Sequence, residues 1–167
     1  VAALRQSLRE NMERELRQGI KAAVKHQVLQ GLLAANAIPL PRVLINSEIE
    51  QLARQLRLPP GANDERAQQL KTYLFEADAR RRVALGLLIS QLASAQNIKV
   101  DDQRVRDHLH SVAATYQEPT EVVRWYEQTP QALDSIRALV IEEQVVDWLL
   151  DRAQVTEKTS TFTEIMT

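Results

Sequence analysis

From Leu4 to Leu32 an apolar side chain recurs at every fourth position, as Leu4, Leu8, Met12, Leu16, Ile20, Val24, Val28 and Leu32, with no proline among them. That spacing excludes the alternation of a strand and predicts one long helix. Each step of four advances about 400°, so the stripe slips by roughly 40° per step and turns through most of a circle along its length. One flat partner cannot cover it. The reading is a spine helix reaching about Ala35, ended by Asn36 in a left-handed cap and by Pro39 and Pro41, and touching different elements along its course. Val1 is already in helical register with no capping residue ahead of it, so the chain reads as a piece of a longer protein.

Prolines and capping residues divide the remainder. Pro41 suits the first turn of a second helix running to about Leu58, and Pro59-Pro60-Gly61 ends it. Asn63 or Asp64 can cap a third helix, amphipathic through Leu70, Leu74 and Ala77, which turns apolar all round from Val83 to Ile89 and is therefore expected to be buried there. Asp101 is placed to cap a fourth helix carrying Val105, Leu109, Val112 and Tyr116. Pro119 opens a short fifth, and Thr129-Pro130 opens a longer sixth with Leu133, Ile136, Val140, Val146, Leu149, Leu150 and Ala153. The tail from Val155 is expected to dock as an extended strip ending in a turn with Phe162, Ile165 and Met166. Few glycines and few aromatics beside abundant Leu, Val, Ile and Ala agree with helices. The predicted fold is all-α and elongated, a single domain over 1–167: a spine helix (1–38), a first hairpin arm with its buried return helix (39–98), a second hairpin arm (99–154) and a docking tail (155–167).

Chemistry is scarce in this sequence. Gly19, Gly31, Gly61 and Gly86 stand singly, so no phosphate-cradling loop or dinucleotide fingerprint can form, and no cofactor is expected. The absence of cysteine rules out disulfides and thiolate catalysis. His108 and His110 are two apart on a helix and His26 is remote, so no metal site is expected. Adjacent acidic pairs, Asp101-Asp102 and Glu142-Glu143, diverge by about 100° on a helix and read as a cap and a solvated face, not as acid/base couples. No catalytic residue is assigned. The longest apolar run is much shorter than the roughly 20 residues of a membrane span. Arg80-Arg81-Arg82 points in three directions and lacks interleaved aromatics, which argues against direct nucleic-acid binding; these arginines are expected to pair with acidic residues of the second half or to stay solvated.

What remains is surface. Thin hairpins cannot bury every large apolar side chain, and leftover apolar patches mark interaction sites. The candidates are Leu44, Ile45, Ile49, Leu52, Leu56 and Leu58 on the first hairpin, and Val122, Val123, Trp125 and Tyr126 at the bend of the second. Charge is unevenly spread: residues 1–100 carry 15 Lys+Arg and 9 Asp+Glu (net +6), residues 101–167 carry 6 and 13 (net −7), and the whole chain is −1. A basic first part is expected to face an acidic second part.

The segments Ala79-Arg80-Arg81-Arg82-Val83-Ala84-Leu85-Gly86-Leu87-Leu88-Ile89, Asn97-Ile98-Lys99-Val100-Asp101, Tyr116-Gln117-Glu118-Pro119-Thr120-Glu121-Val122-Val123 and Val155-Thr156-Glu157-Lys158-Thr159 to Phe162 resemble, in order, the C-terminal domain of bacterial trigger factor. Arg9-Glu10-Asn11-Met12-Glu13-Arg14-Glu15-Leu16 is similar to the family's helix that follows its isomerase domain. The resemblance implies an ATP-independent, ribosome-associated chaperone of the bacterial cytosol that holds unfolded or nascent polypeptides in a cradle between two arms. The ribosome-docking and peptidyl-prolyl isomerase domains of that family have no counterpart in these residues, so ribosome contact and isomerase activity fall to no position here. Implied partners are unfolded chains, with a weak homodimer possible. The rival readings are a helical scaffold that binds a folded partner or itself, and the core of a periplasmic parvulin-type chaperone.

Overall fold

The computed structural model describes residues 2–55 and 65–166. Seven helices occur among them and no strand: α1 (Ala2–Ala35), α2 (Arg42–Gln55), α3 (Glu65–Ala95), α4 (Asp102–Ala113), α5 (Pro119–Gln128), α6 (Pro130–Leu150) and α7 (Phe162–Met166). The breaks fall where short-range chemistry demands them. α1 stops at Ala35, but not through a left-handed residue. Asn36 instead donates its side-chain amide to the Leu32 carbonyl (2.9 Å) and its backbone N–H to Leu33 O (3.3 Å). The left-handed residue is Asn97, φ 52°, just past α3. Pro41 starts α2 by offering its carbonyl to Leu44 N and Ile45 N (3.1 and 3.3 Å). Asp101 caps α4 as expected, its carboxylate accepting from Gln103 N (2.8 Å) and Arg104 N (3.3 Å). The expected caps Asn63 and Asp64, the Pro-Pro-Gly corner and the end of the second helix lie outside the described residues.

The chain divides into two compact units, Gly31–Asn97 and, together, Val1–Gln30 with Ile98–Thr167. In the first, α2 packs along α3. Ile45, Ile49, Leu52 and Ala53 recur on one face of α2 and meet Phe75 and Ala79 of α3, with Leu40 against them. Ion pairs flank this seam: Arg42–Glu76 (3.4 Å), Arg82–Glu48 (3.2 Å) and Lys71–Glu50 (3.1 Å). The Lys71 ammonium holds the Glu50 carboxyl below its ordinary pKa.

This register corrects three expectations. The buried face of α3 runs through Phe75 and Ala79, while Leu70, Leu74 and Ala77 are exposed, because α2 turns its apolar face to the aromatic ring and the small residue four positions on. Between Val83 and Ile89 only Ala84 and Ile89 are buried; the four larger residues are half-buried and Gly86 is exposed. Apolarity all round the helix does not bury it where α2 lies along one side. Arg80 and Arg82 pair with Glu76 (2.9 Å) and Glu48 (3.2 Å) of their own unit, where those carboxylates lie one helical turn away and across the hairpin, and Arg81 is exposed, as the solvated alternative expects.

In the other unit α4, α5 and α6 pack together around Val105, Leu109, Ile136 and Val140, with Val100, Val123, Tyr126 and Leu133 against that cluster. Gln144 ties α6 to the segment before α4, accepting from Asp101 N (3.0 Å) and donating to Lys99 O (2.9 Å). Arg104 and Asp147 are linked at 2.7 Å, which raises the guanidinium pKa further. Glu142 and Glu143 are not a merely solvated face: they grip α1 through Lys25 (2.5 Å) and Lys21 (3.3 Å). For the spine alone, the expected contact of basic with acidic residues is present, one turn of α1 against adjacent residues of α6. The tail after Ala153 is not buried as a strip, residues 154–164 being exposed and Ile165 half-buried, although its last turn sets Phe162 beside Leu8, Met12 and Leu16 of α1. Thr and charged side chains have little to gain from burial there. α7 opens with a reciprocal cap between Thr161 and Glu164, whose carboxylate accepts from Thr161 N (2.8 Å) and is held below its ordinary pKa by that bond.

Candidate interaction surfaces

The residues singled out on the first hairpin separate by their position around α2. Ile45, Ile49 and Leu52 point into the α2–α3 core, with 1%, 2% and 8% of their surface exposed. They hold the hairpin together and offer no free surface, so their assignment to an interaction patch is corrected. Leu44, one residue out of phase, is exposed and lines a shallow groove with Ser47, Glu48, Val83 and Leu87. Leu56 and Leu58 lie outside the described residues.

At the second bend the set also divides. Val123 and Tyr126, three apart on α5, turn inward onto the α4–α6 cluster and are partly buried; Val122 is half-buried beside them. Trp125 points outward, 55% exposed, and meets the Tyr126 ring edge-on at 4.9 Å and 83°. Trp125 is thus the accessible member of this group.

The most exposed apolar surface was not among the expected residues. On α3, Leu70, Tyr73 and Leu74 are 57%, 86% and 51% exposed and lie three and four apart, on one face of the helix. On α1, Leu4, Leu8 and Met12 are half or more exposed, and Leu8, Met12 and Leu16 line a groove with Phe162 from α7. A narrower groove of about 280 Å³ runs between α1 and α6, floored by Ile20, Val24, Val146 and Leu150 and edged by Lys21, Lys25 and Glu143. A signal for the α3 stripe was present in the sequence. Lys71, Glu76 and Arg82 have opposite charges available on α2 in Glu50, Arg42 and Glu48, and the face they flank is that of Phe75 and Ala79, not that of Leu70 and Leu74.

These surfaces share a chemistry. They are aliphatic with isolated aromatics, shallow and carried on helices, and the described residues contain no group of three or more His, Asp or Glu able to hold a metal ion. Nor is any helix among them long and apolar enough to cross a membrane. His26 and His110 are exposed and His108 half-buried on the opposite side of a turn from His110, so no imidazole pair converges.

The family described as the C-terminus of bacterial trigger factor protein matches residues 1–151. Among similar proteins, the trigger factor of Pseudomonas fluorescens (strain SBW25) is 44% identical over 98% of this chain and 37% of its own length. That of Actinobacillus succinogenes is 43% identical over 99% and 38%, and that of Haemophilus ducreyi is 45% identical over 99% and 38%. The chain therefore spans less than two-fifths of the length of these relatives. A family match over 151 residues, an all-helical architecture and a similarity that extends to both units lead to one assignment: the chain belongs to the bacterial trigger factor C-terminus family.

Proposed function

We propose that this chain is an ATP-independent chaperone module that holds unfolded or nascent polypeptides on several shallow apolar patches. The observation that carries the reading is the set of large apolar side chains left exposed on well-formed helices, above all Leu70, Tyr73 and Leu74 on α3, with Leu4, Leu8 and Met12 on α1 and Trp125 on α5. Apolar surface at this density on a folded protein marks a place of contact. Each patch contributes on the order of 25 cal/mol per Å² covered, so each binds weakly and their number supplies avidity with rapid release. Aliphatic contacts with few aromatic anchors and few directed polar groups suit many sequences instead of one. Within a full-length protein of the family, the module would act beside the ribosome in the bacterial cytosol, with ribosome contact made by another domain.

The test is suppression of light scattering when a chemically unfolded globular enzyme is diluted into buffer with and without the chain. Substoichiometric to equimolar protection supports the reading; unchanged scattering at tenfold excess refutes it. Static light scattering of the same mixtures separates a chaperone, whose mass rises with the unfolded client, from a scaffold or self-dimer, which ignores it.

A further inference from the structure

Of the mutually packed helices α4, α5 and α6, α5 alone has no buried residue. It rests on the core through Val123 and Tyr126, both only partly buried. Among the described residues no side-chain hydrogen bond or ion pair joins α5 to either neighbour, whereas α6 is tied to α4 and the segment before it by Arg104–Asp147 (2.7 Å) and by Gln144. Neither Glu118 at its start nor Thr129 before α6 makes a side-chain cap.

The hydrogen bonds at the ends of α5 are separable from those of its neighbours. Thr129 is a single extended residue, φ −116° and ψ 90°, that closes α5 by donating N–H to Tyr126 O (3.2 Å) and opens α6 by accepting from Ala132 N and Leu133 N (3.0 and 3.1 Å). Pro130 has no N–H to bond back into α5. Turning about Thr129 therefore breaks no hydrogen bond inside either helix. At the other end residues 114–118 form a non-helical connection to α4. Segments with few buried contacts and no polar tie open first in a native protein.

We propose that α5 is a hinged flap. It swings outward about Thr129 and bares Val105, Leu109, Ile136 and Val140 to an apolar segment of an unfolded chain, which takes the place of Val123 and Tyr126. The exchange is apolar for apolar, so the free energy lost on opening is largely recovered on occupation, and the flap recloses when the client leaves. This occupant rests on the chaperone reading above.

Hydrogen exchange by mass spectrometry on the wild-type chain tests it, with a reduced, carboxymethylated globular protein as the client and its binding followed by fluorescence polarisation on the same samples. In the free protein, amides of residues 119–128 should exchange at least about a hundredfold faster, relative to their intrinsic rates, than those of 105–112 and 136–146. Saturating client should speed exchange in 119–128 further and slow it on the exposed faces of α4 and α6. A second readout uses the cysteine-free background: a thiol reagent should label Ile136→Cys (3% exposed) about tenfold or more faster than Val145→Cys, also buried at 0%. Equal protection of α5 and α6 in the free protein overturns the flap. Client that binds and leaves α5 exchange unchanged or slower overturns it while leaving the chaperone reading intact, and client that fails to bind overturns both the chaperone reading and this occupant.

Discussion

Replacing Leu70, Tyr73 and Leu74 together by Ala is the sharpest perturbation of the proposed function, because it removes the most exposed apolar stripe while touching little of the fold. The exposed fractions are 57%, 86% and 51%, so between half and nearly all of each side chain is available to a client. Full burial of a large apolar side chain is worth about 1.5–3 kcal/mol, which puts the gross gain from covering this stripe near 4 kcal/mol. Ordering of client and side chains takes back a good part, so the net loss of binding on truncation should be about 2 kcal/mol, roughly a thirtyfold rise in Kd. Stability should move far less. The truncated atoms are mostly in water already, and Ala is the best helix former, so the unfolding free energy should change by less than about 1.5 kcal/mol. Binding is read by fluorescence polarisation of a labelled, reduced and carboxymethylated protein, and folding by circular dichroism with urea unfolding. A variant that folds normally and keeps its Kd within about twofold refutes the assignment of this stripe as a contact surface. A large loss of stability with unchanged affinity would mean that the stripe is structural, contrary to its exposure.

Other outcomes follow from the packing and the charges. Ile49→Ala should destabilise the α2–α3 hairpin by about 2–4 kcal/mol in urea unfolding, because the side chain is 2% exposed between two helices, whereas Leu44→Ala should cost less than about 1 kcal/mol. A double-mutant cycle on Lys25→Met and Glu142→Gln should give a coupling of about 0.5–1 kcal/mol that shrinks in high salt, since the pair is only partly covered. The Glu50 carboxyl is held low by Lys71, so its contribution is fully present above the ordinary carboxylate pKa and is lost as pH falls through the depressed folded value. Carboxyl NMR titration should find Glu50 below an exposed Glu, and Lys71→Met should remove most of the difference, Gln68 and Arg54 lowering it less. By the same sign, protonating Glu164 on lowering the pH should fray α7 before α6, seen as early loss of amide protection at Thr161 and Glu164.

Much of this protein was readable along the chain because helix ends are decided within one turn. Pro41, Asp101, Glu118 and Thr129 each accept from backbone N–H groups two to four residues on, Pro119 and Pro130 follow the last two as first helical residues, and α2, α4, α5 and α6 begin there. The long period-four stripe likewise determined α1, and its segregated charge anticipated the Lys21 and Lys25 grip on Glu143 and Glu142. Which apolar residues are surface is another matter. Ile45, Ile49 and Leu52 carry the same hydrophobicity as Leu44, Leu70 and Leu74, yet the first three are core and the last three are not. That division depends on the register in which α2 meets α3, chosen by the fit of an isoleucine-rich face to Phe75 and Ala79 and by three flanking ion pairs. On α5 the same holds within one turn: Val123 and Tyr126 face inward and Trp125 outward because α4 and α6 lie on one side only. Helix boundaries are local properties of a sequence, whereas exposure belongs to pairs of helices, so only the tertiary structure could decide which surface is left for a partner.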